Sequence, residues 1–300
     1  MRETRSLKLR HALILCTTLF LVSTSFAQET AWPTLSEFRD PALQSGLEHE
    51  IRNLGFESAV LTDRLAVALV DITDPEKPRY AAVNPNDAIY AASLPKIAIL
   101  LAVFQKAEDG ELELDEETLE LANDMIRNSS NTAATELLNR IGFEYLADLL
   151  ESKRYEFYDT DTGGGLWVGK AYARSGAWKR DPINNLSHSA TVYQVARFYY
   201  LLETGRLVSP NACATIKEIL SDPAIHHKFV KGLEQKHPGS EIFRKSGTWK
   251  DWHADSAIVE RDGRRYIAVA LVRHPLGDTW LTLLIVKLDA LIHGPDSGRS

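Results

Sequence analysis

Ala91-Ala92-Ser93-Leu94-Pro95-Lys96-Ile97-Ala98-Ile99-Leu100 is the stretch on which the reading of this chain turns. From Ser93 to Phe104 the residues are apolar on nearly every side, the pattern of a helix buried in the middle of a protein. Gly110 closes the run. Its mouth carries a serine, with a lysine three positions on. Positions i and i+3 of a helix share one face, about 5–6 Å apart at Cβ, so the Lys96 amine can reach the Ser93 hydroxyl. Serine is a weak nucleophile without a neighbouring base. Free N–H groups and the dipole at a helix start also favour developing negative charge. Alone, this pair is a weak signal, because an N-cap serine and a solvated lysine look the same.

Upstream, Asp40-Pro41 followed by Leu43, Leu47, Ile51 and Leu54 reads as a capped helix with one apolar stripe and an exit at Gly55. Leu65 to Val70 is a buried-strand run, and Tyr80 to Val83 reads as its return across a turn-rich segment. Downstream, Asp115 to about Ser221 reads as helical, broken at Gly142, Gly163-Gly164-Gly165, Pro182 and Pro210. Strands resume at Glu241–Trp249. Ser256–Glu260 and Tyr266–Val272 form a hairpin across Arg261-Asp262-Gly263-Arg264, where Asp-Gly favours a tight turn. Thr279 to Ile292 closes the chain as an apolar helix.

Two early strands and three late ones can join in one antiparallel five-stranded sheet flanked by the terminal helices. The middle then becomes an inserted helical domain. The fold class is α/β plus all-α, with 28–90 and 226–300 as a discontinuous sheet domain and 91–225 as the helical domain. Clefts between such domains commonly host small-molecule chemistry.

The chain has 300 residues, 44% hydrophobic and 25% charged, ordinary for a globular protein. Arg2, Arg5, Lys8 and Arg10 precede the apolar stretch Ala12 to Val22, and Ser25-Phe26-Ala27 supplies small residues at a cleavage site. Residues 1–27 therefore read as a cleaved signal peptide with Gln28 as the mature start, and a secreted or periplasmic address. Eleven residues are too few to span a bilayer comfortably. Removing four basic residues and Glu3 takes the formal charge from −7 to −10, a poor match for nucleic acid or anionic membranes. Cys213 is the one mature cysteine, so no internal disulfide is expected.

Two more motifs give Ser93 its meaning. Ser129-Ser130-Asn131 stands at the mouth of a helix, and Lys245-Ser246-Gly247-Thr248 stands on a strand, where Gly247 permits close backbone approach by a ligand. S-x-x-K, S-x-N and K-[ST]-G in this order are each weak and together strong. With them the sequence resembles the penicillin-recognising serine hydrolases, most closely the class A β-lactamase-like branch. That family's fold is the split arrangement described above.

The resemblance implies that Ser93 is the acylated nucleophile and Lys96 its base or base partner. Ser129 would shuttle a proton to the leaving nitrogen. Asn131 would hold the substrate's side-chain amide. Lys245 would tune Ser129 and, with Ser246, attract the substrate carboxylate. The amides of Ser93 and Thr248 would form the oxyanion hole, where one donor is worth roughly 3–4 kcal/mol. The deacylating glutamate of class A enzymes has its best counterpart in Asp181 of Asp181-Pro182-Ile183-Asn184-Asn185, one methylene shorter and in a contracted loop. His253, or Arg273, could bind the carboxylate. His188 near the contracted loop reads more simply as a structural hydrogen-bonding group.

The expected activity is β-lactam hydrolysis. The alternatives are a D,D-carboxypeptidase or peptidoglycan amidase, or a β-lactam-binding receptor without turnover. The expected partner is a small β-lactam or a peptidoglycan-like peptide, with no nucleic acid, no membrane insertion after signal cleavage, no cofactor, no metal and a monomeric chain. Gly164 to Lys170 nearly matches a phosphate-binding loop, but Ala171 stands where a serine or threonine is needed. His226 and His227 are adjacent and, on a helix, would point apart.

Overall fold

The computed structural model describes residues 34–294; the expected signal segment, with Cys16 and Gln28, lies outside them. Asp40 caps α1 (Pro41–Asn53) by accepting from the Leu43 amide at 2.8 Å, and Pro41 takes the first helical position. Leu43, Leu47 and Ile51 are the buried stripe. The chain then forms β1 (Leu65–Asp71), buried at every position, and β2 (Arg79–Val83), which returns antiparallel with Val70 opposite Tyr80. A strand buried at every position has both faces covered, which is why β1 reads as a continuous apolar run.

Next comes α2 (Lys96–Glu108), buried from Lys96 to Gln105. It begins three residues later than the apolar run suggests. Residues 92–95 are instead a tight turn, with Leu94 N bonded to Ala91 O and Ile97 N to Leu94 O. These i→i+3 bonds wind the entry more tightly than an α-helix. The helical block continues with α3 (Glu116–Arg127), α4 (Asn131–Ile141) and α5 (Phe143–Glu151).

The expectation of helix through this whole block fails between Glu151 and Val192. Gly163 and Gly164 take φ of +92° and +97°, outside the helical region, and the chain makes short ladders instead. One of them, His188–Ala190, pairs with Ile89–Tyr90, which draws this segment against the turn that carries Ser93. Helices α6 (Val192–Glu203), α7 (Pro210–Leu220) and α8 (Phe229–Lys236) follow.

Three long strands close the sheet: β3 (Glu241–Trp249), β4 (Trp252–Arg261) and β5 (Arg264–Arg273). Arg261 pairs with Arg264 across a two-residue turn, with φ of 49° at Asp262 and 72° at Gly263. Both are left-handed, as the tight hairpin turn requires. Helix α9 (Gly277–His293) completes the chain.

The sheet is antiparallel in the order β2-β1-β5-β4-β3, so the early pair and the late trio do join as expected. One apolar cluster fills the space between one sheet face and the inserted helices, with α2 at its centre. A second lies between the other face and α1, α8 and α9. β3 is an edge strand, and its face bearing Lys245 and Gly247 looks onto the Ser93 turn and Ser129. No helix among the described residues is long and apolar enough to cross a membrane.

Candidate active site

Ser93 sits in the tight turn before α2, half-buried. Its predecessor Ala92 has φ of 50°, a strained conformation for a residue with a Cβ, and two contacts hold it there. The Ala91 amide donates to His188 O at 3.0 Å, and the Tyr172 hydroxyl donates to Ala92 O at 3.2 Å. The Ser93 turn is thus fastened by the segment between α5 and α6.

Lys96, the first residue of α2, is fully buried. Its ammonium donates to Ser129 O at 2.6 Å, Asn131 Oδ1 at 2.8 Å and Ser130 O at 3.2 Å, and the Tyr172 ring lies 4.6 Å from Nζ. Three acceptors take all three protons of the charged form. Burial pulls the pKa down to about 7, against the opposing charge of Asp124. A lysine so placed can hold or release a proton near neutrality.

Ser129 is the meeting point. It has φ of 56°, and Ser130 beside it caps α4 by accepting from the Ala133 amide. Lys245 on β3, also buried, donates to Ser129 Oγ at 2.9 Å and to Ser246 O at 2.8 Å. Burial, reinforced by the Lys96 charge, holds the Lys245 pKa well below the ordinary lysine range. Ser129 is therefore gripped by one lysine on its carbonyl and by another on its hydroxyl. The three motifs, separated widely in sequence, meet here.

Gly247 explains how β3 comes so close. A Cβ added there would lie 2.1 Å from Ala91 O, 2.8 Å from Ser93 N and 2.9 Å from Leu94 N. The expected close approach is made by the turn that carries Ser93. Gly247 brings the strand bearing Thr248 against the Ser93 amide.

The sequence from 46–119 and 117–293 matches the family described as the β-lactamase enzyme family. This chain belongs to that family. It is a β-lactamase-like serine hydrolase. No curated protein matches the chain. Among solved structures, a β-lactamase from Sphaerobacter thermophilus DSM 20745 is similar at 17% identity, covering 85% of this chain and 99% of that one, with a TM-score of 0.65. The last common ancestor of Gram-negative bacteria class A β-lactamase, as a W-to-D variant, is similar at 20% identity and TM-score 0.66, over 83% and 99% of the two chains. PBP-A is similar at 17% identity and TM-score 0.62, over 85% and 96%.

Two residues of this β-lactamase-family chain depart from the sequence-based expectations. Asp181 is buried, and its carboxylate is committed to its own loop. Oδ1 accepts from the Tyr158 hydroxyl at 2.8 Å and from the Asn184 and Ile183 amides, and Oδ2 accepts from the Leu186 amide at 2.9 Å. The residues from Pro182 to Asn185 are exposed around it. These bonds make Asp181 the staple of its loop rather than a group presented to Ser93.

His253 is turned away from the cleft. Its register, opposite Thr248 and Val272, points the ring beneath the start of α9, where a Cβ on Gly277 would lie 2.5 Å from Cδ2. Both ring nitrogens are buried without a hydrogen-bond partner. Burial keeps its pKa below the usual histidine value, so the ring is a poor anion receptor. Arg273 lies over the Trp252 ring at 4.8 Å. His188 bridges Ser187 Oγ and Lys170 O while its ring packs on Tyr172, 4.4 Å between centroids.

His226 and His227 do point apart, but from a loop: His226 reaches Glu234 at 2.7 Å and His227 reaches Ser246 Oγ at 3.2 Å. The near-match at Gly164 to Lys170 forms short strands with no helix after it. Gly169 there is pressed against Lys179 O.

Lys228 is the residue that sequence reasoning missed. It is fully buried, at φ of 51°, and its ammonium donates to Gly247 O at 2.7 Å, Thr248 Oγ1 at 2.8 Å and Ala254 O at 3.1 Å. Burial lowers its pKa to about 8. It clamps the end of β3 to β4 from the face opposite Lys245. The loop that carries it is held by Arg244, paired with buried Asp255 at 2.7 and 2.8 Å and donating to Ile225 O and His227 O. A lone lysine before a short apolar helix carries no signal of burial in sequence. Tyr172, half-buried beside Lys96, likewise carries no signal in the sequence.

Proposed function

We propose that the chain is an exported hydrolase that forms an acyl-enzyme on Ser93 and opens a cyclic or peptide amide next to a carboxylate, with β-lactam hydrolysis as its leading activity. The observation that carries this reading is the double grip on Ser129 by Lys96 and Lys245, beside the turn that bears Ser93. Ser93 Oγ bonds to the acyl carbon while its proton passes to Lys96, whose pKa of about 7 suits a base working near neutrality. The charge forming on the carbonyl oxygen meets the Ser93 and Thr248 amides. As the C–N bond breaks, the nitrogen takes the Ser129 hydroxyl proton, and the proton held by Lys96 replaces it. Lys245 donates into Ser129 Oγ, which leaves that hydroxyl proton free to travel. Asn131 gives its Oδ1 to Lys96, so its NH₂ remains for a carbonyl of the substrate side chain. Lys245 supplies the cation for the carboxylate, with Ser246 next to it on β3. Water then cleaves the ester, with Lys96 again as base.

A second reading is favoured by Asp181. With that carboxylate spent on its loop, deacylation lacks the acid residue that class A enzymes use, which suits a D,D-peptidase, a peptidoglycan amidase or a penicillin receptor. A variant of PBP-A, similar to this chain at 18% identity and TM-score 0.61 over 87% and 97% of the two chains, has been solved as an acyl-enzyme complex with penicillin G.

Mass spectrometry after exposure to benzylpenicillin tests the shared step. One adduct on the Ser93 peptide, trapped by rapid acid quench and absent in Ser93→Ala, is expected; consumption of benzylpenicillin that survives in Ser93→Ala, or no reaction at all, refutes the nucleophile. A chromogenic cephalosporin then separates the two readings, since sustained turnover supports hydrolysis and a single-equivalent burst supports the second. Export is supported by the basic, apolar and small-residue run of 1–27. N-terminal sequencing of the protein from the cell exterior or periplasm should begin at Gln28, and an unprocessed cytoplasmic product would refute it.

A further inference from the structure

His227 touches the middle residue of the strand motif. Its Nε2 lies 3.2 Å from Ser246 Oγ, and its Nδ1 lies 3.4 Å from Asp278 Oδ2 in the first turn of α9. A neutral imidazole carries one proton, and a carboxylate is met by N–H and not by a lone pair. The negative charge of Asp278, within ion-pair distance of Nδ1 though outside hydrogen-bond geometry, favours the proton on Nδ1 and leaves Nε2 an acceptor. A lone pair on Nε2 must be met by the Ser246 O–H.

We propose that His227, oriented by Asp278, is a positioning residue that draws the Ser246 hydroxyl proton away from the substrate, so that Ser246 offers lone pairs to the site. A carboxylate beside Ser246 then gains no hydrogen bond from it, whereas an N–H or a neutral carboxyl derivative is accepted without penalty. The proposal rests on the reading of Ser93 as the nucleophile and deepens it. It adds amides and esters of the carboxyl group to the substrate class, alongside free acids.

The surroundings keep the imidazole neutral. Asp278 faces it from α9 and Asp255 from β4. Lys228, next in the chain, and Arg244 on β3 oppose them, and Arg244 Nη2 donates to His227 O at 3.3 Å. Burial first, then those two cations, pulls the His227 pKa down to about 4. Lys228 cannot supply the missing donor, because its three protons go to Gly247 O, Thr248 Oγ1 and Ala254 O.

Two measurements decide it. The first is ¹⁵N–¹H correlation of imidazole-labelled full chain at pH 7, with His227 assigned by its loss in His227→Phe. A protonated Nδ1 with an unprotonated Nε2 is expected, and an Nε2–H tautomer overturns the proposal. The second compares acylation by benzylpenicillin with acylation by its methyl ester. The wild-type ratio of the two apparent affinities, with Lys245 still drawing the free acid, is the reference. His227→Phe frees the Ser246 proton and should favour the free acid by about tenfold, in affinity rather than in the acylation rate constant. Asp278→Asn, on the open side of the ring, should shift the ratio the same way if the phenylalanine variant folds poorly. An unchanged ratio overturns the proposal. If neither compound acylates the wild type, the reading of Ser93 fails, while the tautomer measurement still decides the role of His227.

Discussion

Replacing Gly247 by alanine places a methyl group 2.1 Å from Ala91 O and under 3 Å from the amides of Ser93 and Leu94. Ordinary contact begins near 3.4 Å, and all three neighbours are backbone atoms, so no side chain can swing aside. The Ser93 turn cannot retreat easily, because its flanks are held by His188 O and the Tyr172 hydroxyl. β3 must therefore move out by about 1 Å, and a misplacement of that size costs on the order of 100-fold in rate. The overpacking should also cost about 1–3 kcal/mol of stability. The assay is the second-order acylation rate with benzylpenicillin by quenched-flow mass spectrometry, beside urea denaturation of the same sample. The expected variant is folded, weakened by a few kcal/mol at most and about 100-fold slower. A Gly247→Ala protein that acylates within threefold of the wild type would show that strand and turn are not locked together, and the account of the oxyanion site would fall.

Further outcomes follow from the buried charges. Lys96 has its pKa lowered to about 7, so its neutral form is the minority below that value and the majority above it. Acylation should rise with pH through that point to a plateau, and a rate flat from pH 5.5 to 8.5 would remove Lys96 as the base. Arg244→Met leaves Asp255 buried and unpaired, which should cost about 3–5 kcal/mol in urea denaturation. Arg244→Met with Asp255→Leu should recover most of that loss. Asp181→Asn turns an NH₂ toward backbone donors and should cost about 1–3 kcal/mol. Its separately measured acylation and deacylation rates should change together and by less than about fivefold, whereas loss of a general base would slow deacylation alone by about 10²–10⁴-fold.

The sequence by itself determined the elements and their order. The Asp40-Pro41 cap, the unbroken apolar run of β1, the Asp262-Gly263 turn and the all-round apolarity of α2 act over a few residues, where propensity and periodicity are enough. The three short motifs also survive as local patterns, which is why the family was legible before any geometry. Tertiary structure alone decided which side chains face one another. β4 is buried on both faces, so alternation cannot tell which face looks onto the cleft. Only its register against β3 and β5 sends His253 under α9. Lys228, Tyr172 and His227 join the site through loops whose positions are fixed by the Arg244–Asp255 pair and by the short ladder at His188. Asp181 matched a spacing and was then claimed by hydrogen bonds from its own loop. Local patterns reflect forces along the chain, whereas the site is built from contacts between segments more than a hundred residues apart, as Ser129 and Lys245 are.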